Sequence, residues 1–428
     1  MVFKIKGIGK IQDSQIEMKG ITVIAGENNT GKSTFGKVLY CMFNAFHNTE
    51  KAIRDERIND VRRIIYNSGA SPRFNSYTAE HLSYKIIDEV ENTTVVEELP
   101  VDNIRKIIMD AVSERSLFEN EEDNIITDLV DSIRRSLAVS DEEIQRIVIT
   151  HYFENEFEEK INHVNKPNST GNISLIIQEK NVDVSIKNNE CNKFVDNVGI
   201  RHNAIYLDTP FVMDDVQSQQ RRFLPPHFSM NYNSRINHRK NLRYRLAKEH
   251  SDNTVIEEVI INQKITSILS NIHSVTNGEF REDKEGLMFM ENGLKKPVPL
   301  SNVSAGIKTF LIIKRLLELG EIKERNILIL DEPEIHLHPA WQLQFAEILV
   351  LLQKEFNLTI LLTTHSPYFL NAVEVYGEKY GVKDMINFYL AESNGDISDL
   401  REVTGSIDTI YKQLAKPFQK LENTAYED

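Results

Sequence analysis

Residues 26–34 read GENNTGKST, and Gly26, Gly31, Lys32 and Ser33 match G-x-x-x-x-G-K-[ST]. The flanks decide what the match means. Before it, ITVIA (21–25) is a short apolar, β-rich run that suits a buried strand. After it, KSTFGKVLYCMFNAF (32–46) carries Phe35, Val38, Leu39, Met42, Phe43 and Phe46 at helical spacing. Strand, glycine-bearing loop, helix is the context in which backbone N–H groups turn inward around phosphate oxygens and a helix N-terminus adds favourable partial charge. Glu27, Asn28, Asn29, Thr30 and Thr34 fill out this expected cradle. The motif aims Lys32 at the β- and γ-phosphates and makes Ser33 a ligand of Mg²⁺. The expected cofactors are ATP and Mg²⁺.

Three further stretches fit a nucleotide machine. NILILDEPEIHLHPAWQ (326–342) opens with the apolar run Ile327 to Leu330, which suits a central parallel strand covered on both faces. Asp331 and Glu332 follow at its C-terminal end, where open α/β sheets bind ligands. Asp331 is placed to hold Mg²⁺ and Glu332 to poise the attacking water as general base. In TILLTTHSPYFL (359–370) a second apolar strand leads to His365, either a sensor of the γ-phosphate or a histidine satisfied by a nearby loop. In PLSNVSAGIKTFLIIKRLLELG (299–320), Ser304 and Gly306 open an amphipathic helix. There Ser304 is either an ordinary N-cap or, with the first helical amides, a holder of a γ-phosphate from a second subunit.

GENNTGKST, VSAGIK, LILDEPEIHLHP and TTHSPYF, in that order, resemble the ABC-type ATPases of the SMC, RecF and OLD group. DEPEIHLHP with a THSP loop is most similar to OLD-like ATPases and to ATPase subunits of phage-defence systems such as Septu and PARIS. The resemblance implies an α/β P-loop ABC-type head with a mostly parallel core sheet, dimerising around two ATP molecules. It makes Gly26 to Ser33 the Walker A loop and Asp331 with Glu332 the Walker B pair. Ser304 to Lys308 becomes the signature segment, His365 the switch histidine and Glu334 to His338 the D-loop. The signature reads SAG where ABC transporters have SGG. For the Q-loop, Asp208, Thr209 and the glutamines at 217, 219 and 220 remain alternatives. A Toprim nuclease domain is not expected in the 63 residues after His365.

The expected head comprises residues 1–46, 170–215 and 285–428, with a large helical insertion at 47–169 and a helical lobe at 216–284. VDNIRKIIMDAV (101–112) and NIITDLVDSIRRSL (124–137) have helical spacing, and SDEE (140–143) is a capping box. No heptad pattern runs on into a long coiled coil. GNISLIIQEKNVDVSIKN (171–188) alternates like a hairpin with Lys180 and Asn181 at its turn. His336 and His338, two apart with no further ligand cluster, are weak evidence for a metal site.

A net charge of -14 argues against coating nucleic acid by bulk charge. RINHRKNLRYRLAK (235–248) runs against it, with six cations and no acid. It is either a contact for nucleic-acid phosphates or an acidic partner, or a set of internal salt-bridge partners. No secretory signal or membrane span is expected, and with two cysteines in 428 residues the expected compartment is the cytoplasm. Expected partners are a second copy of the chain (a homodimer or higher oligomer) and a co-encoded effector, a nuclease or toxin, docked on the insertion. The alternative is an SMC- or RecF-like DNA-repair ATPase.

Overall fold

The computed structural model describes residues 1–68, 76–92, 101–113, 122–166, 168–216, 237–248, 254–283, 286–395 and 397–425. They divide into two compact units, one built on Met1–His47 and most of the chain from Ile149 onward, the other on Asn48–Val148.

The first unit is organised by an 11-stranded sheet. Its strands are β1 (Val2–Ile8), β2 (Ile11–Glu17), β3 (Ile21–Gly26), β4 (Gly171–Ile177), β5 (Lys180–Lys187), β6 (Glu190–Asp196), β7 (Ala204–Leu207), β11 (Ile327–Asp331), β12 (Thr359–Thr364), β13 (Ile386–Asn394) and β14 (Ile397–Glu402). In space the order is β6-β5-β4-β1-β2-β14-β13-β3-β12-β11-β7. From β13 to β7 every neighbouring pair is parallel. From β6 to β2 the pairs are antiparallel. The motif-bearing half is thus the parallel core that the apolar runs imply, and an antiparallel wing extends it.

The parallel strands are mostly apolar because both of their faces are covered. Ile21, Val23, Leu328, Leu330, Ile360 and Leu362 join a core with Phe310 and Leu316 of α9 (Ala305–Glu318) and Phe345 and Leu349 of α10 (Pro339–Phe356). On the opposite face, α1 (Lys32–Ala45) lies against Ile329 and Tyr206 at Gly36. Described residues of 216–284, expected as a lobe, join this core. Leu242 and Leu246 of α7 (His238–Leu246) and Ile265, Ile268 and Ile272 of α8 (Val255–Thr276) belong to the same cluster. A small sheet follows, of β8 (Gly278–Asp283), β9 (Gly286–Glu291) and β10 (Val298–Pro299). After β12 come α11 (Pro367–Lys379) and, past β14, α12 (Asp408–Ala425).

The second unit is helical: α2 (Thr49–Asn67), α3 (Ser76–Asn92), α4 (Val101–Ser113), α5 (Glu122–Leu137) and the start of α6 (Asp141–Phe157). Its seam is aliphatic, with Val61, Ile65, Ile86, Ile104, Ile108 and Ile133 fully buried. Ser140 accepts the Glu143 N–H at 3.2 Å, so one half of the expected capping box closes ahead of α6. The unit ends at Val148, short of the expected 169, because the second half of α6 packs with the sheet-bearing unit. The expected hairpin is β4–β5, but its turn is Gln178–Glu179, with φ of 49° and 66°. Positive φ at both turn positions matches the strand twist of a two-residue loop, and Lys180 is already paired with Ile177.

Candidate nucleotide site

Register puts the motif ends side by side. Ala25 is level with Thr364, Asp331 with Thr363, and Gly26 with Ala391, so loop, acids and histidine share one edge of adjacent parallel strands. The loop is tight. Gly31 sits at φ 78°, and a Cβ on Gly26 would stand 2.5 Å from the Ala391 carbonyl oxygen. Thr30 is buried and its hydroxyl donates to the Glu27 carbonyl at 2.8 Å. Glu27, Asn28, Asn29 and Ser33 are exposed, and Thr34 is half-buried.

Lys32, at the start of α1, is 4% exposed and folds back over the loop. Its ammonium donates to the carbonyls of Gly26 (3.0 Å) and Glu27 (2.7 Å) and lies 3.7 Å from the Glu332 carboxylate. Burial lowers its pKa, and Glu332 and Asp331 oppose that shift. Glu332, one residue past β11, has φ 51°, an uncommon backbone for a non-glycine residue. Its N–H donates to the Thr363 hydroxyl (3.0 Å) and carbonyl (3.2 Å). Its carboxylate is hydrogen-bonded to His365 Nε2, and that bond leads the causes that lower its pKa. His365 Nδ1 faces the Gly26 carbonyl at 2.8 Å. A carbonyl only accepts, so both ring nitrogens address acceptors.

Asp331 is held at both oxygens. Thr363 donates its hydroxyl to one at 2.5 Å, and Tyr206 donates its hydroxyl to the other at 3.1 Å. Glu334 is buried and accepts from the Thr364 hydroxyl (2.5 Å) and the His365 N–H (2.9 Å), and burial raises its pKa. Tyr206 escaped the sequence reasoning, as did the hydrogen bonds that Thr363 and Glu334 make. The signals were slight: a doubled threonine, a third acid after the strand, and one aromatic in the apolar run AIYL.

Ser304 and Gly306 sit at the start of α9. Ser304 is its N-cap, accepting the Ile307 N–H at 3.4 Å. Gly306 packs against the His336 carbonyl and the Trp341 ring, so the helix start abuts the segment after Glu332. His336 meets the Phe211 ring edge-on, and His338 Nδ1 accepts the Ala340 N–H as the N-cap of α10. The two histidines thus have separate structural partners, and among the described residues no group of three or more His, Cys, Asp or Glu is placed to hold a metal ion.

The basic stretch is largely paired. Arg239 meets Asp208 at 2.6 Å, Arg243 meets Asp215 at 3.5 Å, and Arg245 and Lys248 meet Glu321 at 2.8 and 2.6 Å. These carboxylates satisfy the internal salt-bridge alternative, while Lys240 and Tyr244 are exposed and Arg235 lies outside the described residues. Of the Q-loop alternatives, Asp208 is engaged by Arg239 and Thr209 caps the short 3₁₀ turn Pro210–Asp215. The glutamines at 217, 219 and 220 lie outside the described residues.

The donor set suits the expected groups. A hydroxyl (Ser33) and a carboxylate (Asp331) are the hard oxygen ligands Mg²⁺ prefers, and a glycine-bounded loop opening a helix is built for phosphate. The family described as "AAA domain, putative AbiEii toxin, Type IV TA system" matches residues 21–371. The chain belongs to this family. Within this AAA family it is an ABC-type ATPase of the group that its motif order resembles. It is 22% identical to Endonuclease GajA of Bacillus cereus over 87% of the chain and 55% of that protein. It is 30% identical to the Retron Vc95 probable ATPase of Vibrio cholerae, over 27% of the chain and 24% of that protein. Protein ea59 of phage lambda is 24% identical over 38% and 35%. The chain thus spans about half the length of GajA and less of the other two. Among solved structures, the SMC head domain from Thermotoga maritima aligns over 94% of the chain and 98% of that domain, at 13% identity and a TM-score of 0.40. Among the described residues no helix is long and apolar enough to cross a membrane.

Proposed function

We propose that the chain is an ATP-hydrolysing head that dimerises on ATP and regulates a separate effector, a nuclease or toxin, in bacterial anti-phage defence. The observation that carries the proposal is the convergence of Lys32, Asp331, Glu332 and His365 on one edge of β3, β12 and β11. Bound Mg·ATP would supply the phosphoanhydride and the metal charge. Residues 26–34 would hold the phosphates, with the Lys32 ammonium neutralising them and Ser33 and Asp331 ligating the metal. Glu332, kept ionised by its hydrogen bond from His365, would accept the proton of the attacking water. Exchange of His365 from Glu332 toward the γ-phosphate would report occupancy. Ser304 and Gly306 would complete the site of a second copy.

The names of the relatives support the defence setting, and two free cysteines, Cys41 and Cys191, support the cytoplasm. For the effector's docking surface we favour the helical unit. It exposes Tyr66, Tyr77, Tyr84 and Met109, and aromatic and Met side chains are enriched in interfaces. Direct nucleic-acid binding through 235–248 has less support, because Arg239, Arg243 and Arg245 already have carboxylate partners.

Sedimentation of Glu332→Gln with and without ATP tests the proposal. ATP should double the mass, and adding Ser304→Arg should prevent this while nucleotide binding persists. A wild-type chain that turns over no ATP in Mg²⁺ would contradict the reading.

A further inference from the structure

Tyr206 is an odd choice for its place. It occupies the middle of β7, fully buried, in an otherwise aliphatic strand. Room for it comes from Gly36, inside α1, where a Cβ would stand 3.2 Å from the Tyr206 hydroxyl and 3.0 Å from Ile329. Glycine is a poor helix former next to alanine, so α1 is weakened where the phenol passes. Behind the ring, His238 stacks on it at 4.2 Å and 21°. His238 is fixed in turn, with Nδ1 2.6 Å from Glu156 and Nε2 3.0 Å from Asp208. At the front, the hydroxyl reaches Asp331 at 3.1 Å and the Ser33 carbonyl at 3.5 Å. A carboxylate only accepts, so the phenol is the donor to Asp331.

We propose that Tyr206 is a positioning residue for the metal: its hydroxyl, packed under Gly36 of α1, donates to the Asp331 carboxylate and so sets where that Mg²⁺ ligand stands relative to Ser33. The proposal rests on the nucleotide-site reading above. It also gives α6 a route to the metal site, because Glu156 lies in that helix's last turn and holds His238, which holds the ring.

The test is Tyr206→Phe in the full chain, which removes one oxygen and keeps the ring. Mn²⁺ affinity of the chain saturated with a non-hydrolysable ATP analogue, read by electron paramagnetic resonance, should fall about tenfold, as expected for one hydrogen bond to a charged group. Affinity for the same analogue in EDTA should stay within about twofold, since no phosphate-holding group is touched. Gly36→Ala, which crowds the hydroxyl, should weaken Mn²⁺ in the same direction. Unchanged Mn²⁺ affinity in Tyr206→Phe would overturn the proposal, as would equal losses with and without metal. If both variants unfold, Tyr206 is a packing residue and the proposal fails. A wild-type chain that binds no analogue overturns the nucleotide reading itself, and this proposal with it.

Discussion

At the C-terminal edge of the parallel strands the buried side chains are polar. Lys32, Thr363, Thr364, Glu334 and His238 are each 4% exposed or less, and each has a hydrogen-bonding partner in the network described above. In the unit Asn48–Val148 the buried side chains are mostly aliphatic and the charges keep to its surface, as in Arg54 with Asp88 and Glu91 and Arg57 with Asp141. The first arrangement is fragile to chemistry: removing one partner leaves a buried polar group unsatisfied. The second is fragile to volume, because close packing of aliphatic side chains fills its seam. One region thus rests on polar pairing, and the other mainly on apolar packing.

Paired substitutions sharpen this contrast. Glu332→Gln keeps shape and removes the proton acceptor, so turnover should fall on the order of 10²-fold or more, with the melting temperature nearly unchanged. Ile104→Ala should do the reverse. It opens a cavity in the helical seam and should destabilise that unit by about 2–5 kcal/mol in denaturant titrations, while turnover below the transition is retained. If Ile104→Ala also abolished turnover under folded conditions, the two regions would not be separable.

Thr363→Val comes next in size. The Thr363 hydroxyl donates to Asp331 and accepts the Glu332 N–H, so its loss removes one hydrogen bond from each acid. Turnover should fall about tenfold, chiefly in kcat, and Thr363→Ser should restore most of it. A valine variant with wild-type kcat would show that the acids hold themselves.

The smallest effect is on pH-dependent stability. Burial pushes the His238 imidazole down, but hydrogen bonds and charge from Asp208 and Glu156 hold it up at about 9. A folded-state pKa above the ordinary 6.5 stabilises the fold fully below that value, and the contribution is lost as pH rises through about 9. Thermal stability should therefore decline from pH 7 to 10, and less steeply in His238→Gln. Equal slopes for the two chains would remove His238 from the list of stabilising charges.

The parts of this architecture that were legible are local ones. A loop between strand and helix, an apolar run ending in two acids, and a second run ending in TTH each carry their context within a dozen residues. Pairings across the sequence were not legible. Glu156 and His238 lie 82 positions apart, and Tyr206 and Asp331 lie 125 apart. The basic stretch shows why this matters. Its cations looked available because their carboxylates, Asp208, Asp215 and Glu321, stand outside the stretch. Of the antiparallel wing only the β4–β5 hairpin was legible, since β1 pairs with β4 across more than a hundred intervening residues.

The nucleotide reading is tested most directly by measuring ATP retained per chain in Lys32→Ala and Glu332→Gln after rapid removal of free nucleotide. Lys32→Ala loses the ammonium that crowns the phosphate loop, and its affinity should drop on the order of tenfold or more, leaving little ATP behind. Glu332→Gln should retain close to one unhydrolysed ATP per chain. Equal loss of bound nucleotide in both variants would contradict the division of the site into a lysine that binds and a glutamate that hydrolyses.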